Sequence, residues 1–150
     1  MILGGEQCTC GRKGCVERYV SATALISQTK KAMLEEKNSI MWAYADNNID
    51  NVDGKTSFEC AKKGDKTALK VVETYVYYLS ESILSVLNVF RPDAFIIGGG
   101  ISAQGDYLLK KVVDYCEKFN YGYKTAPKTK ILIATLVNDA GIIGASALVR

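Results

Sequence analysis

Apolar residues recur at helical spacing through the first 90 residues, most regularly between Asp65 and Phe90. There the apolar positions alternate at steps of three and four, which is the period of an α-helix with one buried face. The members of that face are Leu69, Val72, Val76, Leu79, Ile83, Val86 and Phe90. Asp65 is predicted to cap this helix, and Arg91-Pro92 ends it because proline cannot continue an α-helix.

Shorter helices are predicted before the long one. A helix after residue 17 would bury a face made of Ala22, Leu25, Ile26, Ala32 and Met33. The polar stretch 38–55 is predicted to be a loop with a short helical piece at 41–44. Thr56 and Glu59 have the spacing of a capping box, which predicts a helix that begins there and that Gly64 ends.

The last third of the chain changes to a pattern of alternating strands and helices. Residues 94–97 and 131–135 are short apolar runs, and both are predicted to be strands. Helices are predicted over 104–119 and from Asn138-Asp139 through 148. This order predicts a parallel pair of strands. Because a two-stranded sheet is marginal in water, the fold is expected to be short of strands.

Composition indicates a soluble globular protein and argues against several classes of function. Hydrophobic residues make up 48% and charged residues 23% of the chain, the net charge is +3 and no basic stripe occurs, so nucleic acid is not an expected partner. No apolar run approaches the roughly 20 residues that span a bilayer, and the first residues do not resemble a signal peptide. A cytoplasmic protein without membrane contact is expected. The chain has no histidine, so any catalysis must use carboxylates or groups that this chain does not contain.

Three of the five cysteines crowd into eight positions near the N-terminus, namely Cys8, Cys10 and Cys15. Thiolates this close can converge on one zinc ion, and the two glycines between them permit the sharp turns required. Such crowding fits a metal site in a reducing compartment better than a disulfide framework. The alternative is three ordinary thiols in a loop. Since a structural zinc ion takes four ligands, Cys60 and Cys116 are candidates for the fourth, although each also fits a helix as a small buried residue.

Three consecutive glycines, Gly98, Gly99 and Gly100, follow the first predicted strand. Without β-carbons the backbone can approach a nucleotide closely, and N–H groups at the start of the next helix can face phosphate. A P-loop is excluded, because Asp106-Tyr107 stands where that motif needs Lys followed by Ser or Thr. The glycines also fit a dinucleotide fingerprint weakly, since no acid follows at the end of a second strand. A tight turn without a ligand is the remaining alternative.

Residues 8–17 read CTCGRKGCVE, which is similar to the cysteine signature C-x-C-G-x-x-G-C-x-E of the ROK family of sugar kinases and sugar-responsive repressors. The resemblance implies a structural zinc ion held by Cys8, Cys10 and Cys15 with a histidine from an upstream Gly-His pair, expected just before Met1. It also implies that Glu17 hydrogen-bonds sugar hydroxyls. The alternative for Glu17 is an acid in the first turn of a helix, where the helix dipole favours it.

Residues 97–109 and 138–145 also resemble glucokinase-like members of that family, so the resemblance runs from Gly5 to the C-terminus. It implies an α/β fold, the helix-rich C-terminal part of an actin-like ATPase (ribonuclease H-like) domain. Within that single partial domain we expect a zinc loop at 5–17, a helical segment at 18–90 and a strand-helix-strand-helix segment at 93–150. Gly98–Gly100 would be the adenosine-binding turn. Val137 departs from the family pattern, so Asn138 and Asp139 are interpreted as a turn and helix cap.

The parent protein implied by the resemblance transfers the γ-phosphoryl of ATP to a hexose hydroxyl with Mg²⁺. Its catalytic aspartate and phosphate-binding glycine motif match no segment here, so no catalytic residue is assigned and the chain alone is expected to be inactive. Met1 is expected to be an internal methionine or a boundary, with a missing N-terminal half or a homo-oligomer completing the fold. Two alternatives stay open: the sugar-sensing domain of a ROK-type repressor, and a non-catalytic partner subunit.

Overall fold

The computed structural model describes residues 2–122, 124–136 and 139–148, and its elements follow the predicted order in a helix-rich α/β arrangement. The α-helices of these ranges are α1 Glu17–Val20, α2 Ala22–Glu35, α3 Met41–Tyr44, α4 Thr56–Lys62, α5 Lys66–Phe90, α6 Gly105–Phe119 and α7 Asp139–Ala147. The strands are β1 Ala94–Ile97 and β2 Lys130–Ile133, and 3₁₀ turns occur at Ile49–Asn51 and Gly100–Gln104. Two compact units divide between Ser82 and Ile83. Within the described ranges, no helix combines the length and apolarity needed to cross a membrane.

The first unit has its core between its helices. Its fully buried side chains include Leu25, Met33, Met41, Phe58, Val72 and Tyr75. Tyr75 ties this core together, because its hydroxyl donates to the Val20 carbonyl at 2.6 Å and its ring meets Phe58 edge-on with centroids 6.4 Å apart. Burial raises the pKa of Tyr75 to about 12, so the hydroxyl remains a donor at neutral pH.

The buried face of α2 differs in part from the predicted one. Leu25 and Met33 are buried as predicted, but Ala22 is exposed and Thr29 lies between them in the core. Thr29 can be buried because its hydroxyl donates to the Leu25 carbonyl one turn earlier, at 2.8 Å. The helical period was therefore right, while the polar member of the face was missed.

The start of α4 corrects the predicted capping box. The helix begins at Thr56, but Glu59 pairs with Lys62 at 2.7 Å instead of capping. The reciprocal pair lies three residues earlier: Asp53 Oδ1 accepts from the Thr56 N–H at 2.9 Å, and Thr56 Oγ1 accepts from the Asp53 N–H at 3.1 Å. Asp is a strong cap residue, so the earlier box prevails. Asp65 caps α5 as predicted, accepting from the Ala68 N–H at 2.7 Å.

The second unit contains the predicted parallel pair of strands. β1 and β2 pair from Ala94 with Lys130 to Ile97 with Ile133. The second strand was predicted at 131–135 and is observed at Lys130–Ile133. It therefore starts one residue earlier than predicted, and its last residue also comes two positions earlier. Buried apolar side chains of this unit include Ile83, Leu84, Leu87, Ile97, Leu108, Val112 and Cys116. Phe90, assigned by spacing to the buried face of α5, is instead 75% exposed because the helix ends there.

One face of the two-stranded sheet is open. Ile96 and Leu132 are register partners, and they are 62% and 44% exposed. Strands of parallel sheets are normally covered on both faces and read as continuous apolar runs, as β1 and β2 do. The sequence of these strands thus suits a more covered position than the described residues provide. The predicted cap at Asn138, and Val137 before it, lie outside the described residues.

Candidate functional site

A short folded loop brings the three clustered thiols together. Gln7 and Lys13 form an antiparallel bridge, and the Cys8 N–H donates to the Arg12 carbonyl at 2.8 Å. The Gly14 N–H donates to the Glu6 carbonyl at 2.8 Å, on the far side of the Gln7–Lys13 bridge from the tip of the loop. These backbone bonds turn the chain back on itself between the first and third cysteines.

Gly14 is required by this loop for two separate reasons. Its φ is +71°, in the left-handed region that favours glycine, and a β-carbon there would lie 1.7 Å from the carbonyl oxygen of Ile2. Gly11 has a φ of +86° but faces open space. The close approach of Ile2 therefore makes Gly14 the more constrained of the two glycines.

The sulfur atoms of Cys8, Cys10 and Cys15 all lie within 4.8 Å of one another, and those of Cys10 and Cys15 are 3.5 Å apart. Sulfurs bound tetrahedrally at about 2.3 Å to zinc would be about 3.8 Å apart, so the donor set and spacing fit such an ion. Cys60 lies outside this group of ligand atoms and is fully buried in α4. Of the two interpretations offered for Cys60, a fourth ligand or a small buried residue of a helix, its place outside the group supports the second. In the part of the chain that is described, no disulfide forms.

Arg12 makes the thiols electrostatically unequal. Hydrogen bonds from the Arg12 backbone N–H and then from its guanidinium lower the pKa of Cys10 to about 6. The hydrogen bond with Cys10 is the main cause that raises the pKa of Cys15 to about 11. The hydrogen bond with Cys10, and then the negative charge of that thiolate, raise the pKa of Arg12. The thiolate is the form of cysteine that binds a metal ion. With this lowered pKa, Cys10 is mostly a thiolate at neutral pH.

Glu17 begins α1 two residues after Cys15, with its side chain exposed to solvent. Its Oε2 lies 3.8 Å from the Cys8 sulfur. Tyr19 anchors this helix, because its hydroxyl accepts from the Glu6 N–H at 2.8 Å and its ring lies 4.7 Å from that of Tyr78. The carboxylate is therefore held against the cysteine loop while remaining accessible.

The glycine turn belongs to the second unit and connects β1 to α6. Gly99 has a φ of 76° with a ψ of −170°, a backbone conformation that glycine adopts readily. β-Carbons added at Gly99 or Gly100 would meet nothing within 4 Å, so the backbone here faces open space. Ser102 folds under the turn, and its hydroxyl donates to the Gly99 carbonyl at 2.7 Å. The turn can thus offer bare backbone to a ligand.

Arg12, Tyr19 and Ser102 were not selected from the sequence, although the structure gives each a role in shaping these sites. A cation between closely spaced cysteines could have indicated Arg12, since positive charge favours thiolates. A serine three residues after a glycine that needs positive φ could have indicated Ser102. No local signal identifies Tyr19, because its partner Tyr78 lies on a distant helix.

Comparisons with known proteins cover the whole chain. The ROK family profile matches residues 1–150. The chain is 36% identical over 148 residues to a glucokinase of Halalkalibacterium halodurans, covering 98% of this chain and 44% of the relative. It is 30% identical over 147 residues to the DNA-binding transcriptional dual regulator NagC of Escherichia coli K12, covering 97% of this chain and 34% of the relative.

A solved structure agrees with these matches. The fold is similar to that of a ROK family glucokinase from Streptomyces griseus in complex with glucose and AMPPNP, with a TM-score of 0.88 at 28% identity. That alignment covers 98% of this chain and 48% of the S. griseus chain. This chain spans less than half the length of each of these proteins. Since the family profile matches from the first residue to the last, the chain belongs to the ROK family.

Proposed function

We propose that this chain is the C-terminal portion of an ATP-dependent hexose kinase of the glucokinase type, built on an actin-like ATPase domain. The observation that carries the proposal is the match to glucokinases along nearly the whole chain, including a solved one that holds glucose and AMPPNP. In this proposal the chain supplies a zinc-held loop, one sugar contact and the adenosine-binding turn. Its ligands are a hexose and ATP.

The loop is the structural element of the proposal. Cys8, Cys10 and Cys15 would hold zinc, and a bound zinc ion supplies cross-linking rather than chemistry at a reacting atom. The support is the mutual spacing of the three sulfurs within 4.8 Å. Fixing this loop also fixes Glu17, because α1 follows Cys15 directly.

Glu17 is the proposed sugar contact. A carboxylate has several acceptor sites and suits the hydroxyl donors of a hexose. Its side chain is exposed and its partner in the structure is the Cys8 thiol at 3.8 Å, so acceptor capacity is left for a ligand. In the alternative, Glu17 only complements the dipole of the helix that it begins.

Gly98, Gly99 and Gly100 form the proposed adenosine-binding turn. Open space above Gly99 and Gly100 supports the assignment, because a nucleotide needs close approach to backbone. The aspartate base, the phosphate-binding glycine motif and the Mg²⁺ environment would come from the remainder of the enzyme. No residue of this chain is proposed as catalytic.

The second candidate is the sugar-sensing domain of a ROK-type repressor, which the likeness to NagC supports. A non-catalytic partner subunit is the third. Reading the gene ahead of the Met1 codon distinguishes them. A glycine-rich phosphate-binding motif, an Asn-Asp pair and a Gly-His pair immediately before Met1 would support the kinase. A helix-turn-helix would indicate the repressor, and unrelated sequence in every frame would leave the partner subunit.

A further inference from the structure

The carbonyl of Gly99 is held by two hydrogen bonds from one residue. Ser102 donates to it from its backbone N–H at 3.0 Å and from its hydroxyl at 2.7 Å. Ser102 is only 3% exposed, so water has little access to the two donor groups of this residue. The Gly99 carbonyl is therefore fixed toward the interior of the turn.

This fixed carbonyl determines where the next amide points. In a trans peptide unit the C=O and the following N–H are antiparallel, and none of the described residues, Gly99 and Gly100 included, has a cis peptide bond. The N–H of Gly100 therefore points away from Ser102, and Gly100 itself is exposed to solvent. Among the described residues, no group accepts a hydrogen bond from this N–H. A solvent-facing donor results, at the end of a parallel strand.

We infer that Ser102 is a positioning residue that aims the Gly100 N–H at an adenine nucleotide. The inference rests on the proposed function of the turn formed by Gly98–Gly100, and it assigns to Ser102 no contact with the nucleotide itself. Ser102 acts through Gly99: without the hydroxyl, the peptide between Gly99 and Gly100 loses one of the two bonds that fix its rotation. Glycine on both sides offers little other resistance to that rotation.

A purely structural role makes a different prediction, and the chain contains a matched control. Ser146 also donates its hydroxyl to the carbonyl three residues earlier, that of Ile143, at 2.7 Å. If such bonds only stabilise local structure, Ser102→Ala and Ser146→Ala should lower stability without changing nucleotide binding. If the inference holds, only Ser102→Ala changes nucleotide binding.

The test is a titration of the ¹⁵N-labelled 150-residue chain with AMPPNP, followed by backbone amide shifts, on wild type, Ser102→Ala, Ser102→Thr and Ser146→Ala. In wild type the Gly100 amide should be among the most perturbed. Ser102→Ala should weaken binding roughly tenfold, the size expected from one lost hydrogen bond that orients a donor. Ser102→Thr, which keeps the hydroxyl, should restore it, and Ser146→Ala should bind as wild type.

Each contrary outcome has its own meaning. If AMPPNP perturbs no amide between residues 97 and 102 of wild type, both the adenosine-binding turn and the role of Ser102 are refuted. If wild type responds there and Ser102→Ala binds equally well, the role of Ser102 alone is refuted. Should Ser102→Ala unfold, wild type decides, since a Gly100 amide unmoved while neighbouring amides shift overturns the inference.

Discussion

The sulfur of Cys8 lies 3.8 Å from Oε2 of Glu17, so a proposed zinc ligand and the proposed sugar contact are direct neighbours. Cys8 is buried, whereas Glu17 is exposed to solvent. The thiol is therefore on the protein side of this contact and the carboxylate on the solvent side. A substitution of Cys8, or the loss of a metal ion bound to it, should therefore alter the position of the Glu17 carboxylate directly.

Zinc content is the first prediction. The purified chain should bind about one zinc ion under reducing conditions, because three thiolates already converge at metal-binding distances. Cys8→Ser should lower the zinc content and displace Glu17, while Cys60→Ser, which alters a buried cysteine outside the cluster, should leave zinc unchanged. Elemental analysis measures the zinc content of wild type and of each variant. A wild-type chain without zinc after reconstitution would contradict the metal site.

Thiol reactivity is the second prediction, made for the metal-free chain. Because the pKa of Cys10 is lowered to about 6, its thiolate forms as pH rises through that value, and the rate of alkylation by iodoacetamide should follow. Arg12→Gln should move the midpoint of the rate upward, since the guanidinium bond is lost, and Lys13→Gln serves as the charge-matched control. Mass spectrometry of Cys10 against pH measures it. A wild-type midpoint near pH 8.5, that of an ordinary thiol, would show that Arg12 has no such effect.

Helix capping gives the third prediction. Asp53→Ala should lower the free energy of unfolding by about 1 to 2 kcal/mol, the usual effect of losing a side-chain cap. Glu59→Ala removes only a partly exposed ion pair with Lys62 and should cost less than about 0.5 kcal/mol. Urea unfolding of the two variants compares them. Equal losses would restore the capping box predicted from the sequence.

The cap also predicts a dependence on pH. Burial alone would raise the pKa of Asp53, but hydrogen bonds from the Thr56 hydroxyl and from the N–H groups of Lys55 and Thr56 outweigh it and lower the pKa. A lowered pKa in the folded state means that the stabilisation is present at neutral pH and is lost as pH falls through the folded value. The difference in stability between wild type and Asp53→Ala should therefore shrink in acid. A difference that stays constant would assign the effect to something other than the charged cap.

Association is the fourth prediction. Within the second unit, large apolar side chains are exposed at Val89, Phe90, Ile96, Leu132 and Ile142. So much exposed apolar surface is uncommon on a monomer, and we expect the chain to self-associate or to bind a missing half. Ile96→Lys, on the open strand, should reduce the mass seen by light scattering. Leu3→Lys, at a position in the first unit that is 93% exposed, should not. A wild-type chain that remains monomeric at high concentration would contradict this expectation.

The sequence predicted the elements that local patterns determine. The long helix α5 and the parallel strand pair were correct because a sustained helical period, a terminating Arg91-Pro92 and two apolar runs are all local signals. The cap of α4 was missed because two possible capping boxes share Thr56. Spacing alone does not show that Asp53, rather than Glu59, is the partner of Thr56. Phe90 was assigned to the buried face wrongly. Its spacing fits the helical period, but the period does not show whether other residues cover the last turn of α5.

The candidate site shows the same division. The convergence of Cys8, Cys10 and Cys15 was predictable, since all three lie in one short loop with glycines at its turns. The contact between Cys8 and Glu17 and the support from Tyr19 were not predictable, because they depend on the direction in which α1 leaves that loop. The roles of Glu17 in sugar binding and of Gly98–Gly100 in adenosine binding stay predictions.

The central claim is that this chain supplies a working part of a glucokinase, and one enzyme assay tests it most directly. This chain is substituted for the segment of the H. halodurans glucokinase that it matches, and ATP-dependent glucose phosphorylation is measured in a coupled assay. The chimera should turn over glucose while the chain alone does not. Glu17→Gln should reduce its kcat/KM for glucose by at least about tenfold, as expected for a lost hydrogen bond to a charged acceptor, whereas Glu73→Gln, an exposed acid on α5, should not. A folded, zinc-containing chimera that phosphorylates no glucose, or one that Glu17→Gln leaves fully active, would contradict the account.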